Sequence, residues 1–72
     1  MKSVHSGEYR RIIEKLKQAR LSGGLTQKKV AAKLGKPQSF ISKIESGERR
    51  IDVAEIKKFS ETYKKPVNYF LK

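Results

Sequence analysis

The chain has 72 residues, 18 of them Lys or Arg against seven Asp or Glu, giving a formal charge of +11. That length holds one domain, burying only about 60% of its unfolded surface, so its core is small. The absence of cysteine excludes disulfides and thiolate metal sites, and no apolar run approaches the ~20 residues of a membrane span.

Residues 1–6 show no periodicity and are expected to form a flexible N-terminal arm ahead of a domain over 7–72. His5, the lone histidine, falls in this arm, which leaves no basis for a metal site or a catalytic base. From Gly7 onward Tyr9, Ile12, Ile13, Leu16 and Arg20 fall at spacings of three and four, the pattern of a helix with one inward face. Ser22-Gly-Gly24 ends it. Thr26 is a good N-cap for a second helix with the stripe Val30, Ala31 and Leu34, and Gly35 follows where a left-handed C-cap is expected. A third helix starts at Pro37 or Gln38 and ends at Ser46-Gly47, with Ile41 and Ile44 inward. Asp52 and Glu55 make a capping box for a fourth helix carrying Val53, Ile56, Phe59 and Tyr63. Pro66 opens a short final turn with Val67, Tyr69, Phe70 and Leu71. The pattern is that of a compact all-α domain of four to five helices.

The charge is unevenly distributed. No acid occurs between Glu14 and Glu45, while Lys15, Lys17, Arg20, Lys28, Lys29, Lys33, Lys36 and Lys43 all fall within that run. After Arg50 the balance is nearly even. A polarised basic field favours polyanions and speeds encounter with them.

The second and third helices meet the steric demands of a helix-turn-helix. Counting Gln27 as the first position, the fifth is Ala31, small enough for steep helix crossing, and the ninth is Gly35, free to take positive φ. Ile41 and Ile44, fifteenth and eighteenth, plug the third helix onto the second, and Val30 and Leu34 complete the buried side. The alternative is an ordinary αα-hairpin in which Gly35 is only a C-cap.

With Leu25-Thr-Gln27, Val30-Ala31, Leu34-Gly35, Gln38-Ser-Phe-Ile-Ser42, Ile44-Glu45 and Gly47 in view, the chain resembles the lambda-repressor-like (Cro/XRE-type) helix-turn-helix family from about Tyr9 to Leu71. The resemblance implies a five-helix domain, the helix-turn-helix at helices 2 and 3, and helix 3 (about residues 37–46) in the DNA major groove. It also implies that Arg20 and Glu45 form a structural ion pair. One departure concerns the start of helix 3. The family commonly has an apolar residue and then Ser or Thr after the turn glycine, where this chain has Lys36 and Pro37.

On this reading Gln38, Ser39, Phe40, Ser42 and Lys43 are the candidate base-contacting residues. Gln suits adenine, Lys suits guanine, and Ser serves either. Phe40 has two readings, a thymine methyl or sugar on the outside, or packing against the end of helix 2. The candidate phosphate-contacting residues are Gln27, Lys28, Lys29, Lys36, Ser46, Arg49 and Arg50. Gln27, Ser46 and the two arginines come from the family pattern. Lys28 and Lys29 stand against their own helix dipole, a mild penalty that an anion at that helix end would reverse.

The expected function is sequence-specific binding of double-stranded DNA by a transcriptional regulator, most often a repressor in this family, located in the cytoplasm. One domain makes few base contacts, so a homodimer through Tyr69, Phe70 and Leu71 on a pseudo-palindromic operator is expected. The alternative is that Phe70 and Leu71 merely close the monomer core. Nothing outside the binding domain is expected, hence no effector domain and no small-molecule ligand. The rival reading is an antitoxin-type module that binds a protein toxin and autoregulates through DNA. An enzyme is not expected: there is no catalytic cysteine, phosphate-binding glycine loop or carboxylate pair, and no cofactor is implied.

Overall fold

The computed structural model describes residues 7–72, so the arm expected over 1–6 lies outside the described residues. Five helices follow one another: α1 (Gly7–Ser22), α2 (Gln27–Leu34), α3 (Gln38–Ser46), α4 (Val53–Tyr63) and α5 (Val67–Leu71). No strand occurs among the described residues, and no helix is long and apolar enough to cross a membrane.

The boundaries follow from local chemistry. Thr26 caps α2 by accepting the Lys29 N–H at 3.0 Å. Gly35 closes α2 at φ 68°, with the Lys36 N–H reaching back to the Ala31 carbonyl at 2.9 Å. A Cβ on Gly35 would meet nothing within 4 Å, so glycine is wanted there for its backbone angle rather than for space. Pro37 stands outside α3 as its N-cap, contributes no side-chain bond and leaves Gln38 as the first helical residue. The capping box of α4 is complete, with Asp52 and Glu55 each accepting the other's backbone N–H. Lys64 ends α4 in the left-handed region at φ 57°, a place where glycine is usual.

One core joins all five helices: Leu16 and Ala19 of α1, Val30 and Ala31 of α2, Ile41 and Ile44 of α3, Ile56, Phe59 and Tyr63 of α4, and Phe70 of α5. Ile51, in the loop before α4, is part of it and carried no periodic signal. Ile41 and Ile44 are 0% and 1% exposed. Burial of each contributes about 2–3 kcal/mol towards holding α3 in place. A run of aromatic contacts links α3 to α5: Phe40–Phe59 at 6.5 Å, Phe59–Tyr63 at 5.7 Å and Tyr63–Phe70 at 6.4 Å between ring centroids.

One expectation about an inward face is corrected, and one of the two readings of Phe70 is favoured. Val53 is 80% exposed, because at the first position of α4 it precedes the turn that meets the core. Phe70 is fully buried against Tyr63, so it closes the monomer and is unavailable to a dimer face. Of the three residues expected at that face, Leu71 is exposed, while Tyr69 is half-buried between the Lys15 and Lys65 ammonium groups at 5.2 and 5.1 Å.

Candidate nucleic-acid interface

The interface is built on a buried charge. Arg20, at the end of α1, is 8% exposed. Its Nε donates to Glu45 Oε2 at 2.7 Å, its Nη2 to Glu45 Oε1 at 3.1 Å, and its Nη1 to the Leu25 carbonyl at 3.0 Å. The hydrogen bond with Glu45 raises the guanidinium above its ordinary range, against the opposing effect of burial. The pair fastens the end of α3 to α1 and leaves neither charge exposed. The Tyr63 phenol sits in the same field. Burial pushes it well above its usual value, with Glu45 adding to the shift and Arg20 opposing it.

Glu45 Oε1 accepts a third hydrogen bond, from Gln27 Nε2 at 3.0 Å. Gln27 is the first residue of α2, and its side-chain oxygen meets Gln38 Nε2 at 3.5 Å. A relay thus runs from Arg20 through Glu45 and Gln27 to Gln38, the first residue of α3. Its last link, an exposed contact at 3.5 Å, is the longest of the series and inclines Gln38 toward Gln27 without fixing it.

Gln38, Ser39, Ser42 and Lys43 are all exposed and share the outer face of α3, away from Ile41 and Ile44. The nine residues of α3 make a rod about 13 Å long, matched in scale to a major groove about 12 Å wide. Neither α2 nor α3 has an acidic residue in its first turn, whereas α1 and α4 have Glu8 and Glu55. Lys28 and Lys29 in the first turn of α2, and Lys36 in the turn between the helices, are exposed.

Phe40 does not belong to the outer face. It is half-buried, its ring lies parallel to Phe59 with 4° between the planes, and its edge of the core is covered by Arg49, whose guanidinium carbon is 4.5 Å from the ring centroid. The contact the structure shows for it is with Phe59 of α4, which neither of the two readings from the sequence named. Lys36 Nζ, 5.3 Å from the same ring, completes the cover.

Arg49 is also placed otherwise than expected. Its Nη1 and Nη2 donate to Glu55 Oε1 and Oε2, both at 3.0 Å, and Nη1 also donates to the Arg50 carbonyl at 2.7 Å. With these donors engaged and the guanidinium lying on Phe40, Arg49 clamps the loop to α4. Burial works to raise the Glu55 carboxyl. The Arg49 and Asp52 hydrogen bonds and the charges of Arg49 and Lys36 outweigh it and hold the group below its ordinary range. Arg50 is exposed, its guanidinium 5.7 Å from the centre of the Tyr9 ring. The Ser46 hydroxyl lies 3.1 Å from the Lys43 carbonyl and 3.2 Å from Glu48, so it is engaged beside an acid.

Tyr9 gave no sequence signal beyond its place on a helical face. Its hydroxyl accepts the Ile51 N–H at 2.8 Å and lies 3.4 Å from the Arg49 carbonyl, pinning α1 to a loop some 40 residues away. Tyr9, Arg49 and Glu55 together hold the segment that follows α3. Local patterns pick out these residues one by one but not their pairing, because each partner is supplied by a different element.

The helix-turn-helix family model HTH_3 matches residues 16–70. Among solved structures, the chain is similar to an XRE-family like protein from Pseudomonas syringae pv. tomato str. DC3000, at 42% identity over 89% of this chain and 78% of that one, with a TM-score of 0.83. It also superposes on the restriction-modification controller protein C.AhdI from Aeromonas hydrophila, at 20% identity over 90% of this chain and 98% of that one, with a TM-score of 0.80. The DNA-binding domain of BldD gives 22% identity over 96% and 100% of the two chains and a TM-score of 0.82. The last two show likeness of fold alone. No curated protein matches the chain.

Proposed function

The chain belongs to the Cro/XRE-type helix-turn-helix family, and on that premise we propose that it is a sequence-specific, double-stranded DNA-binding transcriptional regulator, acting as a repressor. The observation that carries this is the exposed Gln38, Ser39, Ser42, Lys43 face of α3, with Gln38 tied through Gln27 to the buried Arg20–Glu45 pair. These four residues read base edges. Lys28, Lys29, Lys36 and Arg50 meet phosphates, and Gln27 both braces Gln38 and faces the backbone at the N-terminus of α2. The binding domain is taken as residues 7–72.

Two copies occupy a pseudo-palindromic operator, with their recognition helices about 34 Å apart. Without Phe70, the C-terminal contact reduces to Tyr69 and Leu71, flanked by Lys15 and Lys65. So small a patch falls short of the roughly 1,000 Å² that a stable interface needs, so the dimer is weak in solution and consolidated on DNA.

Selection of bound sequences from a random duplex pool tests the reading. The expected product is an enriched palindrome with half-sites one helical turn apart. A pool that yields no preferred sequence rules out specific binding. Sedimentation of a single copy on the selected duplex rules out the dimer.

A further inference from the structure

Arg49 and Arg50 are adjacent in one loop, carry the same charge and have opposite environments. Arg49 makes a two-pronged ion pair with Glu55 at 3.0 Å and covers Phe40, while Arg50 is exposed. The Glu55 carboxylate also accepts the Asp52 N–H at 3.0 Å, so its place is fixed by the start of α4 whatever Arg49 does. The Arg49 side chain is nevertheless 40% exposed, against 18% for Glu55. Releasing the guanidinium therefore requires no unfolding.

We infer that Glu55 limits the sequence-independent affinity of the chain by withholding Arg49 from the DNA backbone, leaving Arg50 as the arginine of this loop that meets phosphate. The inference rests on the DNA-binding reading above and deepens it. Phosphate contacts strengthen binding to every sequence alike, whereas base contacts distinguish sequences. A chain with a charge of +11 is already strongly attracted to any duplex. An acid that engages one arginine internally lowers this indiscriminate attraction while leaving Gln38, Ser39, Ser42 and Lys43 untouched. Arg49 lies against Phe40 on one side and donates to the Arg50 carbonyl on the other.

The test measures affinity for a random-sequence duplex against salt, using the full chain, Glu55→Gln, Arg49→Gln, Arg50→Gln and the double variant Arg49→Gln/Glu55→Gln. Glutamine at 55 keeps an oxygen for the Asp52 N–H, so α4 keeps its start, and a thermal melt checks folding. Glu55→Gln is expected to bind random duplex more tightly than the native chain. Its slope of log affinity against log salt should be steeper by about 0.9, so its advantage shrinks about 3.5-fold between roughly 50 and 200 mM salt. Because the added phosphate contact strengthens binding to every duplex alike, its preference for the selected operator over random duplex should stay unchanged. In the Arg49→Gln background the Glu55 change should have no effect, and Arg49→Gln alone should leave the native slope intact.

An unchanged slope in Glu55→Gln overturns the inference. So does an equal effect of Glu55→Gln in both backgrounds, which marks a general charge effect. The comparison of the two arginines stands even where the Glu55 variant is poorly folded. Arg50→Gln should flatten the slope by about 0.9 and Arg49→Gln should not, and equal losses would place both arginines on phosphate and refute the assignment. A native chain that binds no duplex at any salt overturns the DNA-binding reading itself, an outcome distinct from the other three.

Discussion

Replacing Glu45 with alanine tests whether the recognition helix hangs on a buried charge. The substitution removes the acceptor of three hydrogen bonds, from Arg20 Nε, Arg20 Nη2 and Gln27 Nε2. Arg20 keeps only the Leu25 carbonyl, and its side chain is 10% exposed, so water reaches the stranded guanidinium poorly. Stranding one member of a buried pair costs about 3–5 kcal/mol, and the remaining Leu25 bond argues for the lower end, about 3 kcal/mol. A domain of 72 residues has a total stability of roughly 4–11 kcal/mol, so this is a large share of it. At about 4–8 °C per kcal/mol, the midpoint of thermal unfolding should fall by roughly 12–24 °C. Circular dichroism during heating and in urea gives both quantities. The double replacement Arg20→Met/Glu45→Leu removes both charges and should recover most of the loss, since a buried pair replaced by apolar side chains of similar volume is often neutral or better. A loss below about 1 kcal/mol in Glu45→Ala, the range of a surface ion pair, would refute the reasoning.

Gln38→Ala should cost about 1–3 kcal/mol on the selected operator and relax preference at one base pair, measured by competition between single-base operator variants. The Glu55 carboxyl is held below its ordinary range in the folded chain, so the folded state favours its ionised form. Its stabilising contribution is therefore complete above the unfolded carboxylate value and is lost as pH falls through the lower folded value. Urea midpoints measured from neutral to acid pH should decline over that window, and less so in Glu55→Gln. Lys64→Gly should raise stability by roughly 0.5–1 kcal/mol, because relief of left-handed strain exceeds the added freedom of the unfolded chain, and a urea midpoint will show it.

The parts legible in the sequence were those that depend on neighbours a few residues away. Gly35 announces itself because only the local backbone angle demands glycine, and Thr26 and the Asp52–Glu55 box act within a single turn. The spacing of Val30, Ala31, Ile41 and Ile44 is set by helix periodicity and reads directly as a buried seam. The exposed Gln38, Ser39, Ser42 and Lys43 are the complement of that seam and follow from the same count. The Arg20–Glu45 pair was different: family resemblance implied it, and periodicity alone placed Arg20 only on the inner face.

What the sequence determined by itself, then, was the run of helices, the caps within single turns and the buried seam between α2 and α3, because these are short-range properties of the chain. Tertiary structure decided which of the outward charges are free. Arg49 and Arg50 are indistinguishable as residues, and they part only because α4 brings Glu55 and α3 brings Phe40 under one of them while α1 brings Tyr9 under the other. Phe40 and Phe70 were ambiguous for the same reason: an aromatic ring at a helix edge is inside or outside according to what a distant element sets against it. The physical cause is that burial and ion pairing are made by approach in space, and approach between α1, α3 and α4 is fixed by the packing of the whole core.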